Sequence, residues 1–255
     1  MILALETSSA TASAAVVDAD GRPLGESRPA GGALQARRLL ECVHEALTAA
    51  GAALDDLETV VCGLGPGTFT GLRIGVATAR ALAQAAGLPV AGVPSLEALA
   101  GGLVASAAGA RADCVVPLID GRRHEVFAAV YRRVSTGPGL ELVVPLTVVA
   151  AEALPEFLER RPGAVVGGDG ALLYADRLPP VVVWERAVTA PSALMVARTF
   201  LAGSPARTLG FGDTLPIYGR QPDAVPRSAA PAGRAPAGRA PAGRAPIPPT
   251  DRPRR

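Results

Sequence analysis

"GLGPGTFTGLR", residues 63–73, holds four glycines, one proline and two threonines. It follows "ETVVCGL", which reads as a buried strand, and opens "TGLRIGVATARALAQAAG", a helical pattern that stops at Gly87. A glycine-rich turn between strand and helix can aim backbone N–H groups at an anion, because the first amides of a helix lack internal partners. Gly65 and Gly67 are therefore weak candidates for a nucleotide-phosphate contact. Neither phosphate motif fits well. The P-loop needs a lysine after its last glycine, and the chain contains no lysine. The dinucleotide spacing fails because Gly65-Pro66-Gly67-Thr68-Phe69-Thr70-Gly71 carries one residue too many before the last glycine. The competing reading is a support turn, stiffened by Pro66 and pinned by Phe69, with Thr70 capping the helix.

Outward from this turn the pattern is α/β. "ILALET" is a short apolar run ending in the carboxylate Glu6, and "TASAAVVDADG" returns as a second strand closing at Asp20-Gly21. A helix over 33–50 places Leu39, Leu40, Val43 and Leu47 on one face and stops at Gly51. "PVAGV" and "PSLEALAGGL" add a strand and a helix. The second half opens like the first: "CVVPLID" ends in Asp120, a turn follows at Gly121, and "HEVFAAVYRRV" alternates like a half-buried strand. Glu6 and Asp120 thus hold matching places in two strand-turn-strand units, as an internal duplication would arrange. "AAEALPEFLERR", "GAVVGGDG" and "SALMVARTFLAG" read as helix, strand with a glycine turn, and helix. Two α/β lobes with mixed sheets follow, over residues 1–100 and 101–227.

The 255 residues are 49% hydrophobic but only 4% aromatic, so the core must be built from Ala, Val and Leu. Residues 228–255 repeat "PAGRA" and contain six Arg and one Asp. Such a segment is too rich in Pro and Gly to pack and is expected to be disordered. Its +5 charge exceeds the formal +2 of the chain, which leaves the preceding body mildly acidic. That body lacks the basic face that sets affinity for nucleic acid. Three cysteines at wide spacings, with no CxxC pair, fit a reducing cytoplasm. No run is apolar enough for a membrane span.

The two histidines, His44 and His124, cannot build an H-x-x-x-H or H-E-x-x-H metal pair. No G-x-S-x-G elbow is present, and bases are scarce. Glu6 and Asp120 are the acids at predicted strand ends facing a cleft. They are weak candidates to hold a hydrated Mg²⁺ beside a nucleotide, or else they accept turn N–H bonds.

The segments "ILALETSSATASAAVVD", "GLGPGTFTGLRIGVATARALA", "VPSLEALA" and "PLIDGRRHEVFAAVY" together resemble the TsaB (YeaZ) family, the bacterial dimerization subunits of tRNA threonylcarbamoyladenosine synthesis. The resemblance runs to about Asp223, with "LPIYGRQPDA" similar to the family's closing strand. It implies an actin-like ATPase fold (ASKHA, ribonuclease H-like) of two lobes. It also implies a non-catalytic subunit that takes no cofactor or metal and pairs with the catalytic subunit TsaD through helices of the first lobe. The ATPase TsaE joins the assembly, and tRNA is met only through the complex. Two departures stand out. Gln35 replaces a histidine common in the family, and Gly219 replaces the usual leucine before Arg220.

The expected partner interface is Leu39, Leu40, Val43 and Leu47 on one helix with Thr70, Arg73, Ala77 and Ala81 on the next. Small residues at Gly75, Ala77, Ala79, Ala81 and Ala83 let another helix approach closely. The same face would serve a homodimer. The competing reading is an active nucleotide hydrolase or kinase of the same fold, using Glu6, Asp120 and the glycine turns at 65–67 and 167–170.

Overall fold

The computed structural model describes residues 1–29, 38–134, 139–204 and 207–220. Gln35, the start of the helix expected from 33, and the 228–255 tail lie outside the described residues.

Strands β1 (Ile2–Glu6), β2 (Ser13–Val17) and β3 (Pro23–Ser27) form an antiparallel meander, with Glu6 opposite Ser13 at its closed end. Helix α1 (Leu39–Ala50) leads to β4 (Thr59–Gly63), which pairs parallel to β1. Helix α2 (Phe69–Ala86) leads to β5 (Val90–Val93), parallel to β4, and α3 (Ser95–Ala105) follows. The spatial order is β3-β2-β1-β4-β5.

The chain then repeats the plan. Strands β6 (Cys114–Arg122), β7 (Glu125–Arg133) and β8 (Leu140–Ala150) form a second antiparallel meander. After α4 (Leu154–Glu159), β9 (Val165–Gly167) pairs parallel to β6. After α5 (Asp169–Leu173), β10 (Val183–Trp184) pairs parallel to β9, and α6 (Ala193–Leu201) closes the repeat. The order β8-β7-β6-β9-β10 matches the first sheet strand for strand, so the duplication suggested by Glu6 and Asp120 is real. The described residues thus form an α/β architecture of two mixed sheets built on one repeated plan, within a single compact unit over Met1–Arg220. A last short strand, β11 (Thr208–Leu209), returns to the first sheet antiparallel to β5.

Alternation along β1 sorts the layers, because successive side chains point to opposite faces. Leu3 and Leu5 face Leu39, Val43 and Val76 under α1 and α2. Ile2 and Ala4 face Ala98, Ala193, Val196 and Ala197 of α3 and α6. On its other side α3 gives Leu96, Leu99 and Leu103 to Ile119, Phe127 and Tyr131 of the second sheet. The far face of that sheet is covered by Leu154, Leu158 and Ala171 of α4 and α5. Helix α3 is thus buried on two sides over its first six residues, as its mostly apolar composition requires, with Ser95 and Glu97 as buried polar exceptions.

Helix ends follow their signals with one exception. Gly51 and Gly87 take left-handed φ of 63° and 67° and return N–H bonds to the last turns of α1 and α2. Helix α2, however, starts at Phe69 with Thr68 at the cap and no side-chain cap bond, so Thr70 is inside the helix rather than capping it. Strand β3 is not apparent in "PLGES" because Pro and Gly argue against a strand. Gly25 is needed there: a Cβ would stand 2.1 Å from the Ala46 carbonyl oxygen of α1. Residues 215–220 do not form the closing strand that the resemblance implied. They run as an extended strap, with Ile217 N donating to the Leu64 carbonyl at 2.7 Å and Arg220 donating to the Gly121 carbonyl at 2.9 Å. No helix among the described residues is long and apolar enough to cross a membrane.

Candidate functional site

The turn after β4 is packed against the turn after β1. Glu6, 1% exposed at the end of β1, accepts the Ser8 N–H on Oε1 at 2.6 Å and the Ser95 hydroxyl on Oε2 at 2.8 Å. Ser95 Oγ in turn accepts the Gly65 N–H at 3.0 Å, and Ser95 N donates to the Gly65 carbonyl at 2.7 Å. Thr68 N donates to the Ser8 carbonyl at 2.8 Å, and the Thr7 hydroxyl donates to the Gly71 carbonyl at 2.8 Å. Burial pushes the Glu6 carboxyl above the usual carboxylate range, while the bonds from Ser8 and Ser95 pull against that rise.

The glycines are what this contact demands. A Cβ on Gly67 would lie 2.2 Å from the Ser8 carbonyl oxygen, and one on Gly75 would lie 2.1 Å from Thr7 Oγ1. A Cβ on Gly63 would meet Glu6 Oε2 at 2.1 Å. Gly65 also needs its φ of +98°. The amides of Leu64, Gly65 and Thr68 are therefore committed to the chain's own acceptors. The turn is a two-layer clasp that seats the start of α2, and Glu6 is its internal anchor.

Asp120 occupies the matching position in the second repeat but a different environment. Its Oδ1 accepts the Arg122 N–H at 2.8 Å, and its Oδ2 stands 3.2 Å from the Arg122 guanidinium. Its backbone N donates to Asp169 Oδ1 at 2.9 Å. Burial, and secondarily the Asp120 charge, push the Asp169 carboxyl up to about 6. The β6–β7 turn beside this pair places Arg122, Arg123 and His124 successively at φ of 61°, 54° and 60°, a rare run for side chains with a Cβ. Arg220 holds the turn by donating to the Gly121 carbonyl and to Glu125. Among the described residues no group of three or more His, Cys, Asp or Glu could hold a metal ion.

The sequence-predicted interface divides into two parts. Leu39 and Val43 are 1% and 4% exposed and lie in the protein's own core, so they cannot meet a partner. Leu47 packs half-buried beside them. The correction follows from the sheet beneath α1, which claims the apolar stripe before any partner can. Leu40, by contrast, is 60% exposed. On α2 the small residues also separate by face: Gly75, Ala79 and Ala83 are buried, while Thr70, Arg73, Ala77 and Ala81 form one exposed stripe. At the foot of that stripe the Arg73 guanidinium lies 3.7 Å from the Phe69 ring centroid, and Arg73 Nε donates to the Tyr218 hydroxyl at 3.0 Å. Phe69 and Tyr218 are both exposed, with ring centroids 5.2 Å apart. Phe69, expected to pin the turn to the core, is instead exposed, and only the strap brings Tyr218 back to it from a distant part of the chain. Ser95 holds the clasp, and its only mark in the sequence is its position opening the helix after β5.

Residues 34–149 match the family model described as TsaD, tRNA N6-adenosine threonylcarbamoyltransferase. An uncharacterized protein of Mycobacterium tuberculosis is 36% identical over 228 residues, covering 88% of this chain and 94% of that protein. The tRNA threonylcarbamoyladenosine biosynthesis protein TsaB of Escherichia coli is 40% identical over 101 residues, or 40% of this chain and 42% of that protein. Among solved structures, YeaZ from Pseudomonas aeruginosa superposes with a TM-score of 0.68 at 28% identity, covering 85% of this chain and 98% of that one. The homologues named TsaB and the YeaZ structure agree, and the chain belongs to the TsaB (YeaZ) family.

Proposed function

We propose that the protein is a non-catalytic assembly subunit in tRNA threonylcarbamoyladenosine biosynthesis, pairing with the catalytic subunit TsaD and completing an assembly with the ATPase TsaE. Family membership supports the pathway. The observation that carries the subunit role is the exposed stripe Thr70, Arg73, Ala77 and Ala81 on α2, footed by Phe69 and Tyr218, together with the exposed Leu40 of α1. Two alanines in the middle of a helix face allow a partner helix to approach closely. An arginine stacked on one aromatic ring and hydrogen-bonded to the hydroxyl of a second is the type of anchor that dominates interface energies. The clasp behind the stripe fixes where α2 starts and hence where it points. On this reading tRNA is met through the complex, and the same face serves a homodimer when TsaD is absent.

The test is binding to purified TsaD by calorimetry. Replacing Ala77 and Ala81 together with Trp should weaken pairing by about 30-fold or more, roughly 2 kcal/mol, with the circular dichroism of the free protein unchanged. Undiminished pairing by a folded double variant refutes the interface. A second reading, nucleotide turnover, is favoured by one observation: the half-buried Asp169 beside Asp120 at the end of β6. Micromolar binding and hydrolysis of Mg²⁺-ATP by the isolated protein, abolished by Asp120→Asn, would establish that reading instead.

A further inference from the structure

Away from the clasp, a cavity of about 510 Å³ opens between α3 and α6. Its room comes from small residues, Gly101, Gly102 and Ala105 of α3 facing Met195, Ala202 and Gly203. The volume is within the usual range for a small-molecule site, and the walls are mainly apolar. One acidic group interrupts them. Glu97 lines the cavity yet is only 6% exposed.

The polar neighbours of Glu97 leave it incompletely served. Arg198 lines the same cavity, but its Nε donates to the Gly21 carbonyl at 3.0 Å. Ser192 Oγ accepts the Met195 N–H, and Ser106 Oγ donates to the Leu103 carbonyl. Ser204 lies close enough to favour the ionised Glu97 carboxyl, but its buried hydroxyl completes no aligned hydrogen bond among the described residues. Burial raises the Glu97 carboxyl above its ordinary range, and among the described residues no cation opposes that rise. A buried carboxyl without a cationic partner is costly to leave ionised, and a charged donor relieves the cost better than a neutral one.

We propose that this cavity binds a small hydrophobic amine, its apolar body between α3 and α6 and its ammonium on the Glu97 carboxylate. The apolar walls select against a polar body, and the single acid selects the amine over the corresponding alcohol. Glu97 also lines a smaller cavity of about 170 Å³ that reaches Gly65 and Pro66. Two residues before Glu97, Ser95 makes the clasp bonds to Glu6 and Gly65. An occupant therefore bears on the helix that carries the clasp.

The full chain has two methionines, Met1 and Met195, and Met195 lines the cavity. With ¹³C-methyl methionine, phenethylamine should shift the Met195 methyl resonance saturably and leave Met1 unmoved. Its neutral analogue 2-phenylethanol should bind at least ten-fold more weakly. Glu97→Gln should erase that preference, and Ala202→Phe at the exposed mouth should remove saturable binding. An unmoved Met195, parallel shifts of both methyls, equal affinity for the two probes, or a preference retained in Glu97→Gln each overturns the proposal. If Glu97→Gln does not fold, the comparison of the two probes on the wild-type chain and the Ala202→Phe titration decide it.

Discussion

Replacing Asp169 with Asn isolates the cost of keeping one half-buried, largely desolvated carboxylate beside another. In the folded chain burial raises this carboxyl from 3.8 to about 6. Between those two pH values the folded state holds a proton that the unfolded state has already lost. Stability therefore falls as pH rises through that window, and the penalty is complete above about 6. The rise corresponds to about 3 kcal/mol. Asn can keep Oδ1 as the acceptor for the Asp120 N–H but gives up the second carboxylate oxygen that favours the Gly170 N–H, a loss of roughly 1 kcal/mol. The variant should thus be about 2 kcal/mol more stable than wild type at pH 7.5 and within about 1 kcal/mol of it at pH 3.5. Urea unfolding at several pH values between these limits, followed by circular dichroism, measures the difference directly. A stability difference that stays constant across the range would refute the reasoning, since a neutral side chain can change the pH profile only by removing a titration.

Ser95→Ala removes the hydroxyl shared by Glu6 and Gly65, and should destabilise the fold by about 2 kcal/mol in urea while speeding amide exchange at Gly65. Unchanged exchange there would mean that Ser95 does not hold the turn. Adjacent leucines should behave oppositely: Leu39→Ala is expected to cost about 2–5 kcal/mol, whereas Leu40→Ser should alter stability by no more than about 0.5 kcal/mol and weaken TsaD binding. Similar stability losses for both would contradict the placement of one inside and the other outside.

The elements that could be read along the chain are those in which one local rule dominates. Gly51 and Gly87 end their helices because only a residue without a Cβ takes the left-handed conformation at little cost. Strand β6 and its carboxylate could be matched to β1 because both are apolar runs buried on both faces. Strand β8 is not legible in the sequence. It is an edge strand interrupted by Pro145 and largely exposed, so its pattern carries little alternation. At the site, local reading recognised that the 63–73 turn bends the chain into α2. It could not show that the turn rests on Thr7 and Ser8, which are remote in sequence.

The sequence by itself determined the two α/β repeats, the family and the presence of a glycine turn at the head of α2, because periodicity and short motifs are local properties. Tertiary structure decided which residues are available. Whether Leu39 or Leu40 can meet a partner, whether Glu6 faces a ligand or its own backbone, and whether Glu97 lines a cavity all depend on what packs against each side chain. Burial and hydrogen-bond partners are set by contacts between distant segments, and a one-dimensional pattern contains the side chains but not their neighbours.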